Sequence, residues 1–200
     1  MRSWLNKFQR CPGCGNYLIH LAIKNAVKEL GIAKHNLVVV SWVGCSWKMS
    51  QYQDGYAAET LHWRSVPFAT GLKLANPNLT VIAYGGDGDG YGIGLGHFLH
   101  ACRRDINITY IVADNENYAL TTGQASPTTP LDIKTRSTPE GNHVRPFDPI
   151  KLAESAGCRY NKMIADKDIK WLTQMIVDAI KHPGFAHINV QQACPTWKKR

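Results

Sequence analysis

Four runs of strand length, at 37–42, 79–84, 106–113 and 185–190, are largely apolar and carry no charged residue. A strand with one wet face alternates, so a run of this kind must be covered on both faces. Helical spacing separates the runs. Over 16–30, Leu18, Ala22 and Ala26 recur on one side with Leu21, Ile23, Val27 and Leu30 beside them, and Gly31 stops the pattern. A second helix at 67–75 is entered by Pro67 and ended by Asn76-Pro77. Further helices are expected at 98–103, 148–156 and 168–181. Buried strands alternating with helices imply an α/β fold, a mostly parallel sheet with helices on both faces. No internal repeat or low-complexity segment interrupts it, and 200 residues suit one domain over 1–200.

Composition removes several classes. An apolar fraction of 44% excludes disorder as the main state. No apolar run approaches the roughly 18 residues that argue a membrane span. Residues 1–10 lack the apolar core of a signal peptide, so a cytoplasmic protein is expected. The net charge is +8, from 23 basic and 15 acidic residues. The basic residues are dispersed apart from Lys198-Lys199-Arg200, and no basic stretch interleaves with aromatics. Neither nucleic acid nor a membrane is expected as a partner. Six cysteines in a cytosolic chain point to metal or redox chemistry rather than disulfides.

The chemistry concentrates in two patterns. Tyr84-Gly85-Gly86-Asp87-Gly88-Asp89-Gly90 opens a glycine-rich turn, 85–96, between a strand and a helix. In an α/β sheet that is the carboxyl edge, where ligands bind. Glycines let backbone approach a diphosphate, and the following helix N-terminus favours negative charge. No Gly-Lys-Ser/Thr follows, so this is no Walker loop. An aspartate beside a diphosphate makes sense as a ligand of Mg²⁺, whose other oxygens can come from Asp114-Asn115-Glu116-Asn117 at the end of the next strand. The second pattern is Cys11-Pro12-Gly13-Cys14 with Cys45 and Cys194, one close pair and two distant singles. Four thiolates hold zinc or an iron–sulfur cluster, and this spacing suits a cluster held against a domain. Cys102 and Cys158 read as small core residues. The stretch 121–147 has little periodicity and, with Pro149 just beyond it, five prolines. A loop this long belongs to a site or a subunit contact.

Gly-Asp-Gly followed one βαβ unit later by asparagine resembles the thiamine diphosphate motif. That resemblance implies Mg²⁺ held by Asp87, Asn115 and the carbonyl of Asn117. With the cysteines, the chain closely resembles the β subunit of 2-oxoacid:ferredoxin oxidoreductases. The likeness runs from Cys11 to Cys194-Pro195. It includes Val43-Gly44-Cys45-Ser46-Trp47-Lys48, Leu61-His62-Trp63-Arg64, Pro67-Phe68-Ala69-Thr70-Gly71 and Tyr118-Ala119-Leu120-Thr121-Thr122-Gly123-Gln124-Ala125-Ser126-Pro127.

The resemblance implies a three-layer thiamine diphosphate-binding fold. It implies oxidative decarboxylation of a 2-oxoacid with coenzyme A to acyl-CoA and CO₂, with electrons passing through a [4Fe–4S] cluster to ferredoxin. It places Cys11, Cys14, Cys45 and Cys194 on the cluster. Val43, Gly44, Cys45, Ser46, Gly86, Gly88, Asp89, Ala119 and Leu120 fall around thiamine diphosphate, and Lys48, His62, Arg64 and Thr122 near the substrate. An α (or α/γ) subunit is expected as heteromeric partner. It would supply the glutamate that protonates the cofactor's aminopyrimidine, for which no motif is found here, so the chain alone is expected to be inactive.

Three departures stand out. Trp63 replaces the glycine of the family's His-Gly-Arg. Thr122 stands where some relatives carry lysine, which argues against a substrate with a distal carboxylate. Family β subunits continue well past the position of Cys194, whereas this chain ends at Arg200. Two other readings remain open on the residues alone: a non-redox thiamine diphosphate-dependent 2-oxoacid decarboxylase subunit, and a Cys₄ metal-bound structural or assembly subunit.

Overall fold

Each of the four apolar runs is a strand, and all four lie inside one sheet. The computed structural model describes residues 10–197; residues 1–9, most of the segment read as lacking the apolar core of a signal peptide, and the basic tail Lys198-Lys199-Arg200 lie outside the described residues. Among the described residues the main sheet has six strands: β1 (Leu37–Ser41), β2 (Tyr56–Glu59), β3 (Thr80–Gly86), β4 (Ile108–Asp114), β7 (Tyr160–Ala165) and β8 (Phe185–Gln191). They run parallel in the order β2-β1-β3-β4-β8-β7.

Strand alternation divides the side chains between two cores. Leu37, Val39, Ile82, Tyr84, Ile111 and Ile188 face α1 (Asn16–Glu29) and α5 (Ile169–Lys181). Val38, Val40, Val81, Ala83, Tyr110 and Val112 face α2 (Ser65–Ala75), α3 (Leu95–Arg104) and α4 (Pro149–Ser155). A run apolar on both faces thus feeds both cores, and each buried valine or isoleucine contributes about 1.5–3 kcal/mol. Caps fix two of the helices. Asp148 accepts from the Ile150 and Lys151 backbone N–H groups at 3.1 and 3.2 Å ahead of Pro149, and Asp168 accepts from Trp171 N–H at 3.1 Å. Cys102 and Cys158 are buried in the second core, as read from the sequence.

The structure departs from the sequence reading at three places. The glycine segment is not an open turn over 85–96. Strand β3 continues to Gly86, a π-helical turn, Gly88–Ile93, follows, and α3 starts at Leu95 rather than at residue 98. Strands β2 and β7 were not expected, because both are edge strands whose exposed, mixed residues carry no apolar run. The stretch 121–147 is an ordered strap. It begins in a small hairpin of β5 (Asn117–Tyr118) and β6 (Gln124–Ala125). Asn142 Nδ2 then donates to the Thr129 and Val144 carbonyls at 2.7 and 3.0 Å, and Phe147 N–H donates to the Pro127 carbonyl at 2.8 Å. No helix among the described residues is long and apolar enough to cross a membrane.

Candidate functional site

Parallel strands end on one edge, so whatever follows β1, β3 and β4 is gathered there. Those three ends enclose an open pocket with a cavity volume of about 140 Å³ that continues into solvent. After β1 come Trp42, Val43, Gly44, Cys45 and Ser46; after β3, Gly86, Asp87 and Gly88; after β4, Asn115, Asn117 and the segment from Tyr118 to Thr121, which includes Ala119 and Leu120. His62 completes the wall. Backbone approach is closest at Gly88. A Cβ there would lie 2.2 Å from Tyr118 Cε1, and the Tyr118 hydroxyl donates to the Gly88 carbonyl at 3.2 Å.

The floor of the pocket is electrostatically one-sided. Asp87 is almost fully buried, and burial, reinforced by the neighbouring Asp114 carboxylate, pushes its carboxyl up to about 7. Asp114 is raised for the same first reason, burial. One hydroxyl, Thr128 Oγ1, lies 3.0 Å from Asp87 Oδ2 and 2.8 Å from Asp114 Oδ1. The described salt bridges join Lys34 to Asp54, Lys151 to Asp148 and Arg159 to Asp105; none reaches these two carboxylates. Beside them Asn117 Oδ1 is buried with no hydrogen-bond partner. Asn115 Oδ1 accepts from Asn117 N–H at 3.0 Å, and the Asn117 carbonyl accepts from Ala119 N–H at 2.9 Å. Uncompensated buried carboxylate with amide and carbonyl oxygens around it is a donor set that fits a hard divalent cation such as Mg²⁺.

The cysteines fit their expected group in kind. Cys14 N–H donates to the Cys11 carbonyl at 3.0 Å, closing the Cys-Pro-Gly-Cys turn. Cys45 lies in the pocket wall, and its thiol is pushed up to about 11 by burial first and then by Cys14, Cys194 and Cys11 around it. Gln192 Nε2 donates to Cys14 Sγ at 3.2 Å. Cys11, Cys14 and Cys194 are thus near enough to Cys45 for their charge to bear on its thiol. No three His, Cys, Asp or Glu side chains among the described residues already form a metal-ready group.

Besides Cys11, Cys14 and Cys194, four expected site residues lie outside the pocket wall. Lys48 Nζ sits over the Trp47 ring, 4.6 Å from its centroid. Arg64 hydrogen-bonds His97. Thr122 is exposed and its Oγ1 accepts from Arg136 Nη1 at 2.5 Å. Asp89 is buried behind the glycine segment, where its Oδ2 would lie 2.8 Å from a Cβ on Gly85; burial raises its carboxyl and the Trp63 backbone amide pulls it back. Asp89 supports the 61–64 turn through Trp63, while its Oδ1 is buried without a hydrogen-bond partner. Trp42, Tyr118, Thr121 and Thr128 were not singled out as site residues from the sequence. The first three follow strand ends and were within reach of that argument. Thr128 lies in the strap, and nothing local marks it.

Trp63, which replaces the family's glycine, carries a backbone cost. Its φ is +64°, the left-handed region that glycine occupies freely and a bulky residue does not. Its indole stacks on His62 at 4.8 Å, and His62 meets Trp42 edge-on at 5.4 Å. Trp63→Gly is expected to be more stable than Trp63→Ala by about 1 kcal/mol, because both lose the stack but only glycine relieves the backbone. Urea unfolding of the two variants checks this, and equal stabilities would contradict a left-handed residue 63.

A family model described as "Thiamine pyrophosphate enzyme, C-terminal TPP binding domain" matches residues 33–190. The chain is 47% identical over 189 residues to a 2-oxoacid:ferredoxin oxidoreductase subunit beta of Saccharolobus solfataricus, covering 94% of this chain and 62% of that one. It is 43% identical over 189 residues to the 2-oxoglutarate synthase subunit KorB of Archaeoglobus fulgidus, covering 94% of this chain and 70% of the relative. The chain belongs to the β-subunit family of 2-oxoacid:ferredoxin oxidoreductases. Its fold matches that family's solved architecture. A 2-oxoglutarate:ferredoxin oxidoreductase from Magnetococcus marinus, solved with 2-oxoglutarate, coenzyme A and succinyl-CoA bound, superposes with a TM-score of 0.93 at 38% identity, over 96% of this chain and 66% of that one. This family member is therefore a thiamine pyrophosphate-binding chain, spanning about two thirds of the length of these relatives.

Proposed function

We propose that the chain is the cofactor-binding part of a 2-oxoacid:ferredoxin oxidoreductase. With an α (or α/γ) partner it would convert a 2-oxoacid and coenzyme A to acyl-CoA and CO₂ and pass electrons to ferredoxin. The observation that carries this reading is the pocket, which joins the glycine segment, a buried uncompensated carboxylate and a cysteine of the four-thiol group in one wall. Asp87, Asn115 and Asn117 would hold Mg²⁺ against the diphosphate. Gly86 and Gly88 would admit the diphosphate to the backbone, and Val43, Gly44, Ser46, Ala119 and Leu120 would line the rest of the cofactor. Cys11, Cys14, Cys45 and Cys194 would hold a [4Fe–4S] cluster.

When bound, thiamine diphosphate supplies the carbanion and the electron sink that decarboxylation of a 2-oxoacid needs. The chain's own residues position and desolvate. His62 is the one substrate-side candidate already in the wall, clasped between two indoles that fix its ring. Arg64 and Lys48 are held by His97 and Trp47, so their contact with a substrate carboxylate requires a rotamer change or the partner subunit's presence. The basic balance suits anionic ligands, namely a diphosphate, coenzyme A and an acidic ferredoxin.

The test is anaerobic purification followed by iron analysis, a visible spectrum and an assay with and without the partner subunit. Broad absorbance near about 400 nm that bleaches with dithionite, and CoA-dependent turnover only in the complex, are expected. A chain that binds thiamine diphosphate but no iron after reconstitution would make it the subunit of a non-redox decarboxylase instead. Zinc without iron, with no response to thiamine diphosphate, would make it a structural subunit.

A further inference from the structure

Behind the pocket, β8 turns two polar side chains toward a core face that its neighbours fill with apolar groups. His187 pairs with Tyr110 across the sheet and Asn189 with Val112, and both polar residues are fully buried. Buried polar groups are costly unless their partners are complete. Here they form a continuous chain. Asn161 Nδ2 donates to the Ile150 carbonyl at 2.8 Å, which leaves its Oδ1 to accept from His187 Nδ1 at 2.7 Å. The Tyr91 hydroxyl lies 2.8 Å from both His187 Nε2 and Asn189 Oδ1, and its one proton bridges these two acceptors in turn. Asn189 Nδ2 donates to Asp114 Oδ2 at 3.1 Å.

Asp114 is where this chain branches. Its Oδ1 accepts from Glu116 N–H at 3.1 Å, which pins the 115–117 turn, and from Thr128 Oγ1 at 2.8 Å, the hydroxyl that also reaches Asp87. Tyr91 closes a second connection, because it belongs to the π-helical turn that directly follows Asp87. Its ring is held edge-on to Phe98 at 5.6 Å. Both halves of the candidate cation site, Asp87 and the 115–117 turn, are therefore tied through buried groups to one strand, β8. Tyr91, His187 and Asn189 are absent from the pocket wall, so they reach a ligand only through other residues.

We propose that Tyr91, His187 and Asn189 are positioning residues which, through Asp114 and Thr128, fix the spacing between Asp87 and the 115–117 turn and so set the affinity for the divalent cation that holds the diphosphate. The proposal rests on the reading of the pocket as a Mg²⁺–thiamine diphosphate site. Side chains that back metal ligands typically alter metal affinity 10- to 100-fold when removed, without touching the metal.

The experiment titrates Mg²⁺ into the full 200-residue chain with thiamine diphosphate, following tryptophan fluorescence, and repeats the titration with Mn²⁺ by electron paramagnetic resonance. Tyr91→Phe keeps the ring and loses the bridge; Asn189→Ala removes the link to Asp114. Ile188→Val, on the same strand but facing the other core, controls for a simple loss of stability. The expected result is an approximately tenfold higher Mg²⁺ requirement in Tyr91→Phe and Asn189→Ala, with a broadened Mn²⁺ spectrum, and neither change in Ile188→Val. Unchanged Mg²⁺ affinity and Mn²⁺ spectrum in both network variants, alongside a lowered Tm, would overturn the proposal and leave the network structural. Thiamine diphosphate binding by the unsubstituted chain that ignores Mg²⁺ would overturn the reading of the pocket itself, and the proposal with it.

Discussion

Asp87→Asn is expected to abolish Mg²⁺-dependent binding of thiamine diphosphate while making the cofactor-free chain more stable. The two effects share one cause. Asp87 and Asp114 are buried carboxylates sharing a single hydroxyl, with no described salt bridge to offset them. Without a cation their mutual repulsion and lost hydration oppose folding. An asparagine can donate its amide N–H to the Thr128 oxygen, leaves the Thr128 proton to Asp114, and removes the charge. The gain should be about 1 kcal/mol, or about 2–4 °C in Tm for a chain of this size. The asparagine oxygen, being neutral, is a far poorer ligand for a hard divalent ion, and a loss of at least about 100-fold in Mg²⁺ affinity is expected. Thermal unfolding with and without Mg²⁺ and thiamine diphosphate reads both signs in one series. A variant less stable than the parent without ligand, yet equally stabilised by Mg²⁺ with cofactor, would show that Asp87 is an ordinary buried acid.

Gly88→Ala is expected to damage the pocket through sterics alone. The new methyl would lie 2.2 Å from Tyr118 Cε1 and 2.6 Å from Cδ1, so the ring must leave its place. Tyr118 is part of the pocket wall and bonds the Gly88 carbonyl, so its displacement moves two strand ends relative to each other. The stability loss should be about 1–3 kcal/mol, and thiamine diphosphate affinity should fall at least about tenfold. Combining Gly88→Ala with Tyr118→Ala makes room for the methyl. The pair should cost less stability than the two single losses added, the mark of residues in contact. Strict additivity in unfolding measurements would contradict the close approach.

Legibility in the sequence followed the length scale of the interaction. The inner strands were readable because β1, β3, β4 and β8 bury both faces, which shows as a largely apolar run with no charged residue before its end. The edge strands were not, since Tyr56 and Met163 are exposed and a half-wet strand of four to six residues looks like loop. Pocket residues such as Gly86, Asp87 and Asn115 were readable because strand ends in a parallel sheet must meet. Asp89 shares that motif but points to the other side of the backbone, a matter of side-chain direction that spacing does not encode. Thr128 contacts Asp87 across 41 positions, and Tyr91 contacts Asn189 across 98. No local pattern marks such pairs; His187 and Asn189 appear in the sequence only as polar interruptions of an apolar run.

The position of β8 has a consequence for the order of folding. It follows every other strand in the chain, yet it lies inside the sheet between β4 and β7 and supplies the groups that hold Asp114. The chain made before it can pair β1, β2, β3 and β4 but cannot seat the acidic end of the pocket. A partly made or partly folded chain therefore lacks an assembled candidate cation site, and on the proposed reading cofactor capture waits for a late, long-range step of the fold.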